Sequence, residues 1–419
     1  MSMTGVLIVS ILLGFKLIVH TWLMLRQYRA MAQGRVSVPS NFAQHFTLEQ
    51  HQKAIDYGQA RLSLGLARLW FSGLLLALWF FTGALNFLDS LLFVYVQSSL
   101  WQPIALIACV SLTEGLLGLP WSIYSQFVLE EKFGFNRTTW STFFSDRLKG
   151  IILGSVLGLM LGYPLVWLMQ NVPGLWWIPA YVVYTSFQIL LLWLFPTVIA
   201  PLFNKFSPLE DAELSQGIQE LVVEAGFKSQ GVFVMDASKR SSHGNAYFTG
   251  MGKAKRIVFF DTLLKTLKPN ETLAVLAHEI GHLAHGHIKK GLLLSLIMTA
   301  IAFYGLGWFA GRTDIFIDLG LSPTHGVILL VSAWLGGLIS VPLSPLMALW
   351  SRKHEFEADR YAVKRTSAQA LSEALICLYR ENAGSLVVDP LYAAWNYSHP
   401  PLSERVQAMQ EILISKTGA

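Results

Sequence analysis

The chain has few charged residues and almost no cysteine. Asp, Glu, Lys and Arg make up 14% of its 419 residues, and the only cysteines are Cys109 and Cys377. Two thiols cannot form a disulfide framework, which excludes the small secreted scaffolds that depend on one. No basic run is interleaved with aromatics, so no nucleic-acid partner is expected. Internal repeats and low-complexity tracts are also missing. The length would allow two or three soluble domains, but so little charge argues against that arrangement.

Apolar residues are abundant instead. They form 53% of the chain, with 14 Trp and 26 Phe, which is membrane-protein chemistry. Seven apolar runs reach the roughly 20 residues that a bilayer requires. They fall near 4–25, 67–88, 101–124, 150–170, 174–198, 291–311 and 325–349. The first lacks a basic leader and a small-residue cleavage site, so it reads as a retained span. Basic residues then alternate between loops. Arg26, Arg29, Arg35, Lys53 and Arg61 follow the first span, and Lys132, Arg137, Arg147 and Lys149 follow the third. A Lys-rich segment follows the fifth, and Arg352 and Lys353 follow the seventh. This alternation predicts an outside N-terminus and motif-bearing segments in the cytoplasm. Lys16 and Glu114 fall inside spans, where charge is expected to face protein or water.

The predicted organisation is five spans over 1–200, a soluble insert over 201–290, two spans over 291–350 and a soluble tail over 351–419. The insert starts with a turn-rich exit from the membrane and an amphipathic helix from Asp211 to Gly226. Residues 231–236 and 256–261 read as strands. Between them, the loop from Ser238 to Gly252 leads into a further strand, with Asn245, Ala246 and Tyr247 at the expected sheet edge. An edge strand can hydrogen-bond an extended peptide substrate. His243, just before it, is expected to be structural.

The decisive motif follows. His278, Glu279 and His282 lie in a stretch that reads as a helix, so both imidazoles share one face about one turn apart. Two such histidines can bind one metal, with Glu279 beside the open position as general base. One Zn2+ per chain is expected. A third ligand must come from elsewhere, and Glu355 is assigned to it. Asp359, four residues on, is expected to orient a ligand imidazole. His354 and Glu357 point off this face and read as ordinary polar positions. His285 and His287 are expected on the solvated end of the metal helix.

These pieces resemble the M48 zinc metalloprotease family, in the branch of the CAAX prenyl proteases of the Ste24 type. The resemblance is carried by Lys239 to Phe248, the His278–His282 motif, and Ser351-Arg352 with Glu355 to Asp359. It extends to Glu130 to Asn136 and Ser398 to Arg405. It implies a mainly α integral membrane protein, with seven helices enclosing a chamber and a small α+β gluzincin-like protease domain on the cytoplasmic side. It also implies that Glu355, and not Glu357, is the ligand. His399 and Arg405 would approach the site and stabilise the substrate or the oxyanion. The implied substrate is a peptide or protein, possibly prenylated, that loses its C-terminal tripeptide at the bilayer. A quality-control protease without prenyl recognition is a second reading, and a transporter or channel a remote third. Compact loops favour a bacterial inner membrane, with the endoplasmic reticulum expected for a eukaryotic source.

Overall fold

The structure is a computed structural model that describes residues 2–226, 231–249 and 256–417. Its seven long apolar helices are Met3–Gly34, Leu48–Phe81, Trp101–Phe133, Trp140–Asn171, Trp177–Phe203, His287–Ala310 and His325–Arg365. Each is long enough to cross a bilayer at 1.5 Å per residue. Their outward faces expose large apolar side chains such as Leu7, Ile11, Leu116, Ile152 and Trp308, a pattern that lipid can cover and water cannot.

The second span departs from its expected limits. It begins early, at a capping box formed by Thr47 and Gln50, and it stops at Phe81. Gly83, at a φ of 78°, turns the chain into a separate short helix, Ala84–Tyr95. The apolar run across 82–88 had hidden that break, because hydropathy does not register a left-handed glycine. The third span passes through a π-helical turn at Ser125–Glu130. In the last span, His325–Ile339 leads through a short 3₁₀ turn at Val341–Leu343 into Ser344–Arg365. The membrane helix thereby delivers Glu355 directly.

Lys16, Arg68 and Glu114 line a partly open cavity of about 290 Å³ among the spans, so these charges do not sit in close-packed apolar surroundings.

Beside the spans sits a four-stranded sheet of order β1-β2-β4-β3. Its strands are β1 Phe206–Pro208, β2 Val232–Met235, β3 Ala246–Thr249 and β4 Arg256–Phe260. β2 and β4 run parallel, while β1 and β3 flank them antiparallel. The turn-rich exit thus contributes a strand, β1, that the sequence reading had not placed. The last residues of the Ser238–Gly252 loop, 250–252, lie outside the described residues. Asp211 caps the helix Ala212–Glu224 by accepting from Leu214 N–H at 2.9 Å.

The core of this part forms where the metal helix, Pro269–Ala284, meets the sheet and the tail helices. Leu276 and Ile280 pack with Phe259, Ile257 and Ile218, and Ala277 packs with Leu371 and Leu402. Gly281 permits its closest crossing. A Cβ there would lie 2.9 Å from Ala358 Cα and 3.0 Å from Ala358 O, so only glycine lets the two helices approach this far.

Candidate metal centre

The Gly281–Ala358 crossing brings residues of two distant segments into one buried pocket. His278 Nε2 lies 3.2 Å from His282 Nε2. Glu355 joins them, with Oε2 at 3.4 Å from His278 Nε2 and Oε1 at 3.3 Å from His282 Nε2. His278 and Glu355 are buried, and His282 is half-buried.

The proton positions follow from the outer partners. His278 Nδ1 faces Asp359 Oδ1 at 2.8 Å. An ionised carboxylate only accepts, so Nδ1 carries the hydrogen and Nε2 presents a lone pair. Arg405 holds Asp359 from behind, donating Nε to Oδ2 at 2.8 Å and Nη2 to Oδ1 at 2.6 Å. On the other histidine, His282 Nδ1 lies 3.0 Å from His287 Nδ1, and His287 Nε2 lies 2.9 Å from Glu357 Oε2. Glu357 can only accept, so His287 donates from Nε2 and accepts at Nδ1. His282 therefore donates from Nδ1 and also presents a lone pair at Nε2.

Two lone pairs and a carboxylate then converge on one point. Such an arrangement repels itself unless a cation sits at the centre. Glu355 Oε2 is also buried without a hydrogen-bond partner, as a ligating oxygen would be. The donor set therefore fits a metal ion. The protein field points the same way. Burial lowers the His278 pKa, but the neighbouring carboxylates of Asp359 and Glu355 outweigh it and raise it to about 9. The pocket favours positive charge.

Glu279, between the two histidines, is partly buried, and burial pushes its carboxyl pKa up while His278 and His282 pull it back. His399 approaches from the open side, with Nε2 3.5 Å from Glu355 Oε1 and most of its ring exposed. Burial lowers its pKa, with Glu355 opposing. Arg405 is buried, and its Nη1 stands 3.8 Å from Glu355 Oε2.

β3 is the edge strand next to the metal helix and has no strand neighbour on its outer side among the described residues. Ala246 packs towards the core shared with the metal helix, and Tyr247 packs in a separate cluster with Met235 and Val258. Asn245 starts the strand, its Oδ1 accepting from Ala246 N–H at 2.9 Å and its carbonyl accepting from Phe260 N–H at 3.0 Å.

Three expectations need correcting. His287 is buried, not solvated, because Gly286 (φ 67°) turns the chain back and His287 stacks on His354 with ring centroids 3.9 Å apart. Glu357 and His354 are not ordinary polar positions, since both engage His287. No periodic signal marks this set. The only hint was the glycine that ends the metal helix just before His287. His285 is exposed, as expected. His243 is a structural anchor, with Nδ1 3.2 Å from Asn382 Oδ1 and its ring stacked on Phe135 at 4.4 Å.

A His/His/Glu group able to hold a metal, beside an open strand edge and carried on seven membrane-length helices among the described residues, defines a membrane-embedded metalloprotease. The comparisons with known proteins agree. Residues 27–205 match the family model described as CAAX prenyl protease N-terminal, five membrane helices, and 208–413 match peptidase family M48. CAAX prenyl protease 1 of Saccharomyces cerevisiae is 38% identical, covering 76% of this chain and 74% of the relative. The Caenorhabditis elegans homologue is 30% identical and covers 92% of each chain. The crystal structure of S. mikatae Ste24p superposes with a TM-score of 0.90 at 31% identity, over 96% of this chain and 98% of that one. The chain belongs to the M48 family and has its chamber-forming membrane fold.

Proposed function

We propose that this chain is a zinc endopeptidase that removes the C-terminal tripeptide from prenylated peptides at the cytoplasmic face of its membrane. The observation that carries the metal chemistry is the convergence of the His278 and His282 lone pairs with Glu355. Zinc is the ion we assign. A tetrahedral site with ligand bonds of about 2.0–2.1 Å has donor separations of roughly 3.3 Å, and the three separations here are 3.2, 3.3 and 3.4 Å. The relatives named CAAX prenyl protease 1 support the substrate class. The Lys and Arg bias of the loops supports the cytoplasmic side. A bacterial inner membrane, the location that short connections such as Asn171–Trp177 and Ala310–Thr313 favour, would instead call for the second reading, cleavage without prenyl recognition.

When bound, the metal supplies Lewis acidity, which acidifies water and polarises a carbonyl. The chain's own residues supply the rest. The outer edge of β3, from Asn245 through Tyr247, holds the peptide backbone in extended form. Glu279 accepts the proton of the attacking water at its carboxylate and returns it to the leaving amine. His399 stands on the open side, where its ring N–H can donate to the developing oxyanion. Arg405 acts from behind as a positioning residue, because two of its donors are committed to Asp359.

Glu279→Gln should retain stoichiometric zinc and lose peptide cleavage by about a hundredfold or more. Zinc content and turnover of a farnesylated peptide and its unprenylated twin, measured together, check this. Full activity in Glu279→Gln would remove Glu279 as the base. Equal cleavage of the twins would remove the prenyl requirement.

A further inference from the structure

A cavity of about 740 Å³, lined by both charged and apolar side chains, opens between the membrane helices and the loop that leads into β3. Its charged lining residues are Arg61, Glu130, Asp146, Arg147, Arg240 and His243. Four of these already have partners. Arg240 holds Asp146 through Nε–Oδ2 at 2.8 Å and Nη2–Oδ1 at 3.1 Å. Glu130 accepts from Tyr57 Oη at 2.7 Å and faces His243 Nε2 at 3.6 Å. The other two form no carboxylate ion pair, although Arg61 also bonds the Tyr57 side chain. Arg61 lies 5.4 Å above the Tyr57 ring and Arg147 lies 5.2 Å above Phe143. Among the described residues, neither has a carboxylate within ion-pair distance.

The position of this cavity gives these two guanidinium groups a meaning. Ser241 and His243 line it, and they stand immediately before the N-terminal end of β3. A peptide paired antiparallel to β3 runs with its C-terminal end past Ala246 towards His243. An extended peptide advances about 3.3 Å per residue, so three residues cover roughly 10 Å. His243, which lines the cavity, stands three residues before Ala246, so a peptide that keeps to the path of the chain before β3 comes level with it over that length. Arginine forks match carboxylates in shape and charge.

We propose that Arg61 and Arg147 bind the α-carboxylate of a peptide lying antiparallel along β3, so that the cut is measured from the substrate's C-terminal end. The inference rests on the peptidase reading above. It adds a second recognition point to the site, with a free carboxylate as its ligand. It also separates these arginines from the plain positive-inside bias of membrane loops.

The test uses the full zinc-loaded chain and two peptides that differ only in a C-terminal carboxylate or amide. The parent should cleave the acid with a kcat/KM at least roughly tenfold higher, as expected for losing a charge-assisted contact. Arg61→Gln and Arg147→Gln should bring that ratio towards one, mainly through KM. Arg61→Lys and Arg147→Lys, which keep the charge, should retain part of it. The released tripeptide needs no variant: its acid should inhibit the parent at least roughly tenfold more tightly than its amide. Equal cleavage of acid and amide by the parent, or equal inhibition by the two tripeptides, overturns the carboxylate site and leaves the peptidase reading standing. Cleavage of neither peptide by the parent removes both.

Discussion

The two histidines of the motif are held in opposite ways. His278 leans on Asp359 and Arg405, a carboxylate and a guanidinium sealed inside the protein part of the molecule, with Arg405 supplied by the tail helix Leu402–Thr417. His282 leans on His287 and Glu357, an imidazole at the start of the sixth long helix and a carboxylate in the last part of the seventh. The first support is a buried ion pair, so its parts cannot be removed singly without stranding charge. The second is a chain of hydrogen bonds through a ring that can stay neutral. Each fixes the tautomer of one histidine, but only the first also holds the fold together.

This contrast orders the effects of substitution. Arg405→Leu leaves the buried Asp359 carboxylate with His278 as its one remaining partner, so it should destabilise the protein by about 3–5 kcal/mol. Thermal unfolding of the purified chain checks this, and a loss under 1 kcal/mol would mean that His278 alone compensates the Asp359 charge. Asp359→Asn should lower metal affinity by roughly 10- to 100-fold, the usual range for an outer carboxylate on a ligand histidine. Competition with a graded chelator measures it. Glu357→Gln and His287→Gln should lie near the bottom of that range, about tenfold, with melting almost unchanged. Combining Asp359→Asn with Glu357→Gln sharpens the comparison. Independent supports should give additive losses in metal affinity, whereas a joint loss smaller than the sum would show the two sides acting as one network.

Much of this was legible in the sequence. Hydropathy marks seven spans because lipid demands long apolar runs, and the four-residue spacing places His278 and His282 on one helix face. The same spacing pairs Glu355 with Asp359. What escaped the sequence depends on where distant segments meet. The second span ends at Phe81 because Gly83 adopts a left-handed conformation, which no apolar average detects. His287 reads as the solvated start of a span, yet tertiary packing seats it against His354 and Glu357, two spans away in sequence. β1 is only three residues long, too short to show alternation, and exists because β2 offers it an edge. Arg61 and Arg147 read as loop charge until the fold brings them to one cavity with the loop before β3.

The union of the last span with the helix bearing Glu355 also sets an order of events during synthesis. The ribosome produces His278 and His282 before the final two spans exist. The third donor reaches them only when His325–Arg365 has been threaded into the bilayer and has turned back over the metal helix. A truncated or uninserted chain carries the motif without the pocket.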